Sequence, residues 1–261
     1  MGKRYTLECC VDSVESAMGA QEGGATRLEL CGSLVTGGLT PSLALYEEVR
    51  ARCDLRVHVL LRPRFGDFLY TEAEFAVLLR EVELFRRAGA DGVVIGCLTP
   101  DGALDLPRMR ALIEAAGGMS VTLHRAFDVC ADPWRALREA RELGVDAILT
   151  SGQQNGCREG KALLAALARE SGPDGPDILA GGGVDAALVA DFLRDTPIRS
   201  FHMSGKREVE SGMRYRNPAV GMGAASLDEY SVWRTDPAAV RAAARVLEGW
   251  ASSGEGQLEC E

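Results

Sequence analysis

Eight times along this chain a short aliphatic run alternates with polar residues and is followed by a longer stretch of helical periodicity. Strands are predicted near Thr6–Cys9, Arg27–Leu30, Arg56–Leu61, Gly92–Ile95, Val121–His124, Ala147–Thr150, Ile178–Ala180 and Ser200–Met203. Helices are predicted near Ser13–Gln21, Pro41–Arg52, Glu72–Ala88, Pro107–Ala116, Pro133–Leu143, Lys161–Arg169, Asp185–Arg194 and Pro237–Trp250. Thr71 with Glu74 forms a capping box, while Asp132-Pro133 and Thr40-Pro41 pair a cap with a first-turn proline. Gly89 and Gly144 close two of the helices with a left-handed turn into the next strand.

Repeated strand–helix units of about 30 residues imply parallel strands joined by right-handed crossovers. In a chain of 261 residues, eight units favour the α/β class and a single (β/α)8 TIM barrel over a doubly wound open sheet. No G-x-G-x-x-G follows the first strand, where a dinucleotide fold would carry it. The barrel is expected over residues 1–251, with a flexible tail at 252–261. Gly205–Asp236 reads as one long loop: a lid, an interface or a disordered segment.

One parity of each strand is aliphatic, but in several the other parity is charged or polar. Glu8 alternates with Leu7 and Cys9, Glu29 with Leu28 and Leu30, His124 with Leu123, and His202 with Phe201 and Met203. Successive strand residues face opposite sides of a sheet, so these groups point at the barrel axis, where Val, Ile and Leu are usual. Placing them there is costly without a purpose. Glu8, Glu29, Arg62, His124 and His202 are therefore the candidate catalytic residues, expected to converge in one pocket. All three histidines, His58 included, fall inside predicted strands. The plainer alternative is structural: Glu8 and Glu29 pairing with Arg27 and Arg62, and core histidines bonded to carboxylates.

Strand ends and first loop residues add candidate anion-binding groups: Arg64, Arg125, Ser151, Gly181, Gly182, Gly183 and Ser204. The glycines follow strand 7 and open a helix, a place where barrels receive phosphate on backbone N–H groups. Asp185 is an obstacle, because a carboxylate capping that helix competes for the same donors. A cation site is a further possibility, with Cys10 and Cys31 near His202 or His124, since thiolate and imidazole suit copper and zinc.

A net charge of −9 argues against nucleic acid and acidic lipid as partners. No apolar stretch is long enough to span a bilayer, and no secretory leader is expected before the first strand. The eight cysteines show no Cys-x-x-Cys pair and read as reduced thiols of a cytosolic protein.

Several segments occur together in a known order: Leu7-Glu8-Cys9, Gly24 to Cys31, Gly37-Gly38-Leu39-Thr40-Pro41-Ser42, Arg62 to Phe68, Leu123-His124-Arg125-Ala126-Phe127-Asp128, Leu149-Thr150-Ser151-Gly152 and His202-Met203-Ser204. In this the chain resembles the CutC family of copper homeostasis proteins, from about residue 5 to 205. Leu123 departs from the Phe more usual there. The resemblance implies a cytoplasmic barrel, a homo-oligomer, and copper ion as ligand. It implies no reaction. The mouth residues themselves favour a small anionic metabolite, phosphorylated ones included, handled by acid–base chemistry. Two readings follow: a copper-binding homeostasis protein, and an enzyme acting on a small anion.

Overall fold

In a computed structural model, which describes residues 5–221 and 228–253, eight parallel strands close into a barrel in sequence order, with the eighth pairing the first. The strands are β1 (Thr6–Val11), β2 (Arg27–Leu30), β3 (Arg56–Leu60), β4 (Gly92–Ile95), β5 (Ser120–Leu123), β6 (Ala147–Thr150), β7 (Asp177–Gly181) and β8 (Ser200–Met203). Helices α1 (Val14–Gly23), α2 (Leu43–Arg50), α3 (Glu72–Arg87), α4 (Leu106–Ala116), α5 (Pro133–Glu142), α6 (Lys161–Ser171), α7 (Ala186–Asp195) and α8 (Pro237–Ser252) surround it. The expected TIM barrel is the fold. The Thr71 capping box is formed in full, and Asp132 caps α5 ahead of Pro133.

Strand parity divides the interior as the alternation predicts. Leu7, Leu28, Val57, Val93, Leu123, Ile148, Ile178 and Phe201 belong to the apolar layer between sheet and helices. Inside the barrel a separate small cluster joins Cys10, Cys31, Leu60 and Val94. Register sets Glu8 opposite Arg27 and His202, and Glu29 opposite Cys10 and His58. On β4 the lumen parity falls to Gly92 and, just past the strand, Gly96. A Cβ at Gly92 would stand 2.7 Å from the His58 ring, and one at Gly96 2.5 Å from His124. These glycines give two imidazoles room inside the barrel.

Helix α8 closes the ring through Val240, Ala243, Ala244 and Leu247, with Val240 so close to Gly23 that a Cβ there would stand 2.5 Å away. It runs through Ser252, one residue past the expected barrel boundary; residues 254–261 of the expected tail lie outside the described residues.

The segment read as one long loop instead contains a hairpin. Strand β9 (Lys206–Glu210) pairs antiparallel with β10 (Ser231–Thr235), and β10 meets α1 where the Thr235 N–H donates to Ser16 Oγ at 3.2 Å. All five residues of β9 are exposed, so neither parity carries the apolar signature by which a strand is recognised.

Candidate functional site

Strands β1, β2 and β8 bring three polar side chains into direct contact. Arg27 Nε donates to Glu8 Oε2 at 2.5 Å, and His202 Nδ1 lies 2.8 Å from the other oxygen, Glu8 Oε1. Beyond the ring, His202 Nε2 faces Glu29 Oε2 at 3.7 Å. Cys31 Sγ contacts the same Glu29 oxygen at 3.4 Å. One atom each from Cys10, Glu29 and His202 lies within 4.8 Å of the other two.

Electrostatics follow from this packing. Burial raises the Glu8 carboxyl, but Arg27 and His202 outweigh it and hold Glu8 ionised, well below the usual carboxylate range. At Glu29 the balance reverses: burial outweighs the nearby His202 charge and pushes its carboxyl up. Burial and the Glu29 charge drive the Cys31 thiol far up, toward the protonated form. Burial opposes charge on His202, yet Cys10, Glu29 and Glu8 together raise it.

Across the mouth, β3 and β5 supply a different environment. His124 caps the short helical turn after β5: its Nδ1 accepts from the Ala126 N–H at 3.1 Å. The proton of the neutral ring therefore sits on Nε2, and that atom is buried without a partner among the described residues. Burial first, then the Arg62 charge, lower its pKa to about 3. Arg62 is pinned by the carbonyls of Gly37, Gly38 and Gly66 at 3.4, 3.2 and 2.7 Å, while its Nε is likewise buried and unpartnered. Phe68 lies against both, 4.7 Å from the His124 ring and 5.0 Å beneath the guanidinium.

The two sides share a cavity of about 270 Å³, lined among others by Cys10, Glu29, Arg62, Phe68, His124 and His202. Four of the five candidate catalytic residues thus line one pocket. Glu8 does not; it lies fully buried, behind His202. Glu29 faces His202 and Cys31, and Arg62 is held by carbonyls, so the two do not form the ion pair weighed from the sequence.

The candidate anion residues divide. Gly182, Gly183, Ser204 and Arg125 line the cavity. Arg125 is already paired with Asp128 at 2.6 Å and donates to Ser151 at 2.7 Å. Ser151 is withdrawn from the mouth: Asp128 accepts from its backbone N–H and sits 3.0 Å from its hydroxyl. Arg64 also turns away, to Asp67 at 2.8 Å and Glu74 at 2.6 Å. Gly181 packs beside Leu149 and His202. Asp185 caps α7 by accepting from Leu188 N–H at 2.8 Å, so one of the donors at that helix start is already taken. Asp128, whose carboxylate organises this corner, was not singled out in the sequence. Its contacts join the loops after β5 and β6, and no local spacing reports such a pairing. Phe68 and Lys206 also line the cavity without having been singled out individually.

A barrel with polar groups gathered at the carboxyl ends of its strands defines the class. The sequence model of the CutC family matches residues 5–207, and this chain belongs to that family. A Bacteroides fragilis (strain YCH46) family protein CutC is 48% identical over 224 residues, covering 85% of this chain and 88% of its own length. Its counterpart in Mesorhizobium japonicum is 46% identical over 237 residues, 90% of this chain and 92% of that one. A solved structure from Streptococcus agalactiae, a candidate copper homeostasis protein CutC, superposes with a TM-score of 0.72 at 26% identity, over 77% of this chain and 98% of the other. A Pyrococcus furiosus thiamine phosphate pyrophosphorylase, 15% identical with a TM-score of 0.56, shares the fold alone. Among the described residues no helix is long and apolar enough to cross a membrane.

Proposed function

We propose that this protein binds a copper ion at Cys10, Glu29 and His202. One observation carries the reading: His202 is clamped through Nδ1 by Glu8 at 2.8 Å, leaving Nε2 aimed at Glu29 and within reach of the Cys10 thiol. A carboxylate that fixes a histidine through one nitrogen while the other is left for a cation is a recurrent support of metal ligands. Bonds of about 2.0–2.3 Å bring ligand atoms closer than the present spacing, which side-chain rotation can supply.

The donor set is one thiol, one imidazole and one carboxylate. That mixture suits Cu²⁺, with Zn²⁺ as competitor, better than Cu⁺, which favours several sulfur donors. Cys31, next to Cys10 and hydrogen-bonded to Glu29, is the only second thiol among the described residues of that cluster. A cytoplasmic location is part of the proposal, supported by seven buried, unbridged cysteines among the described residues. So is a homo-oligomeric state, supported by the family resemblance.

Titration of Cu²⁺ and Cu⁺ against a competing chelator tests the site. Cys10→Ser and His202→Gln should each weaken binding at least about tenfold, the range seen when ligands or their supports are lost. Cys31→Ser should weaken Cu⁺ more than Cu²⁺. Stoichiometric copper binding untouched by Cys10→Ser and His202→Gln would show that the ion sits elsewhere.

A further inference from the structure

We propose that the β3–β5 side of the same mouth is a subsite for a small oxyanion, received by two N–H donors without partners among the described residues, Arg62 Nε and His124 Nε2. The inference rests on reading this cavity as the working site, but it requires no bound metal.

Three observations converge. Both donors are buried and unpaired, and buried N–H groups are rarely left so, because each forfeits its hydrogen bond to water. His124 cannot relieve the deficit by changing tautomer: its Nδ1 is held as an acceptor by Ala126 N–H. Nor can it turn away, since Gly96 and Ala126 flank one side of the ring and Phe68 covers another. Finally, among the described residues the Arg62 charge has no carboxylate partner. Arg27, Arg64 and Arg125 each have a carboxylate partner, whereas Arg62 is gripped only by three neutral carbonyls. Such an arrangement fixes a cation in place and keeps its charge for a ligand.

The chemistry of the occupant follows. It must present acceptor oxygens, because both vacant groups only donate. It carries negative charge, to answer Arg62. It is small, because the cavity is about 270 Å³, just under the range of drug-sized sites. The same donors exclude a cation from this side. His124 Nε2 carries the ring proton, so it is not a free ligand, and among the described residues lining the cavity the thiol and the carboxylate, Cys10 and Glu29, stand on the opposite wall. The glycine turn after β7 is the weaker candidate, given the Asp185 cap. A phosphate group and a carboxylate share the required chemistry.

The test uses chelator-treated protein, with inorganic phosphate and acetate as separate probes at matched ionic strength. Side-chain ¹⁵N spectra should show His124 as the Nε2–H tautomer, and the His124 Nε2 and Arg62 Nε signals, each serving as reporter when the other residue is replaced, should shift saturably with at least one probe. Saturation by phosphate alone would assign a phosphorylated ligand, and saturation by acetate alone a carboxylate. Arg62→Gln and His124→Leu should each weaken the response roughly 10- to 100-fold, the worth of one hydrogen bond to a charged group. His124→Gln, which keeps an N–H, should weaken it less. An Nδ1–H tautomer in the wild-type protein overturns the proposal without recourse to any variant. So does the absence of a saturable response to either probe, or a response that develops only after copper is added. Should copper fail to bind while phosphate or acetate still does, the copper reading falls and this inference stands.

Discussion

Two imidazoles share one cavity and meet opposite treatment. His202 stands between Glu8 and Glu29 with a thiol nearby, and its charged form is favoured. His124 stands between an arginine, a phenyl ring and glycine backbone, and its charged form is suppressed. The sequence presents both alike, as a histidine at the end of a strand. Neighbours on adjacent strands, brought together only by barrel closure, separate them. Environments that push two titratable groups apart mark different chemical roles: the carboxylate-rich wall suits a cation, and the donor-rich wall suits an anion.

The largest effect should come from Glu8, the foundation of the first wall. Glu8→Gln keeps the shape but removes the charge that Arg27 and His202 share, leaving the mostly buried Arg27 without its ion-pair partner. Losing one partner of such a pair costs about 3–5 kcal/mol; the partial exposure of Arg27 places the value toward the lower end. Urea denaturation measures it, and a near-neutral result would mean that Arg27 escapes to solvent. Next is Gly96→Ala, which pushes a methyl group into the His124 ring. Overpacking of this kind costs about 1–3 kcal/mol. It should lower the thermal midpoint and displace the His124 resonance, while copper affinity on the opposite wall stays unchanged.

Acidification separates the walls in another way. An unfolded histidine takes up a proton near 6.5, whereas His124 resists until about 3. Between those values the unfolded state holds the extra proton. The stability His124 contributes is therefore complete above about pH 6.5 and is lost as pH falls toward 3, with a slope of at most about 1.4 kcal/mol per unit. His58, lowered to about 4 by burial and by Arg27, acts in the same direction. His124→Leu should flatten this acid limb by one proton without abolishing it. An unchanged slope would mean that His124 is charged in the folded protein.

The strands that carry this comparison were legible beforehand, though the contrast between the two histidines was not. Alternation in β1, β2, β5 and β8 identified which side chains enter the barrel, because a period of two leaves no ambiguity of face once both sides are buried. Cap residues and the glycines ending α3 and α5 marked the repeats. Three things were not legible. The β9–β10 hairpin pairs segments some twenty residues apart in sequence, and β9 buries neither face. Arg64 and Ser151 looked equivalent to Arg62 and Ser204 by position, yet Glu74 and Asp128, on other elements, draw them off. The tautomer of His124 depends on a single backbone contact to Ala126.

The smallest expected effect gives the sharpest discrimination, because Arg62 and Arg64 are separated by one proline and carry the same charge. Arg64 lies in an exposed network with Asp67, Glu74 and the Leu69 carbonyl, and solvent-exposed pairs of this kind contribute little. Arg64→Gln should leave copper affinity, oxyanion binding and the thermal midpoint unchanged within error. Arg62→Gln should leave copper affinity unchanged but remove the oxyanion response. Measured side by side, the two variants distinguish a specific donor from a general positive field at the mouth. If Arg64→Gln weakened phosphate or acetate binding as much as Arg62→Gln, diffuse charge would be responsible, and the geometric distinction between the two arginines would lose its functional meaning.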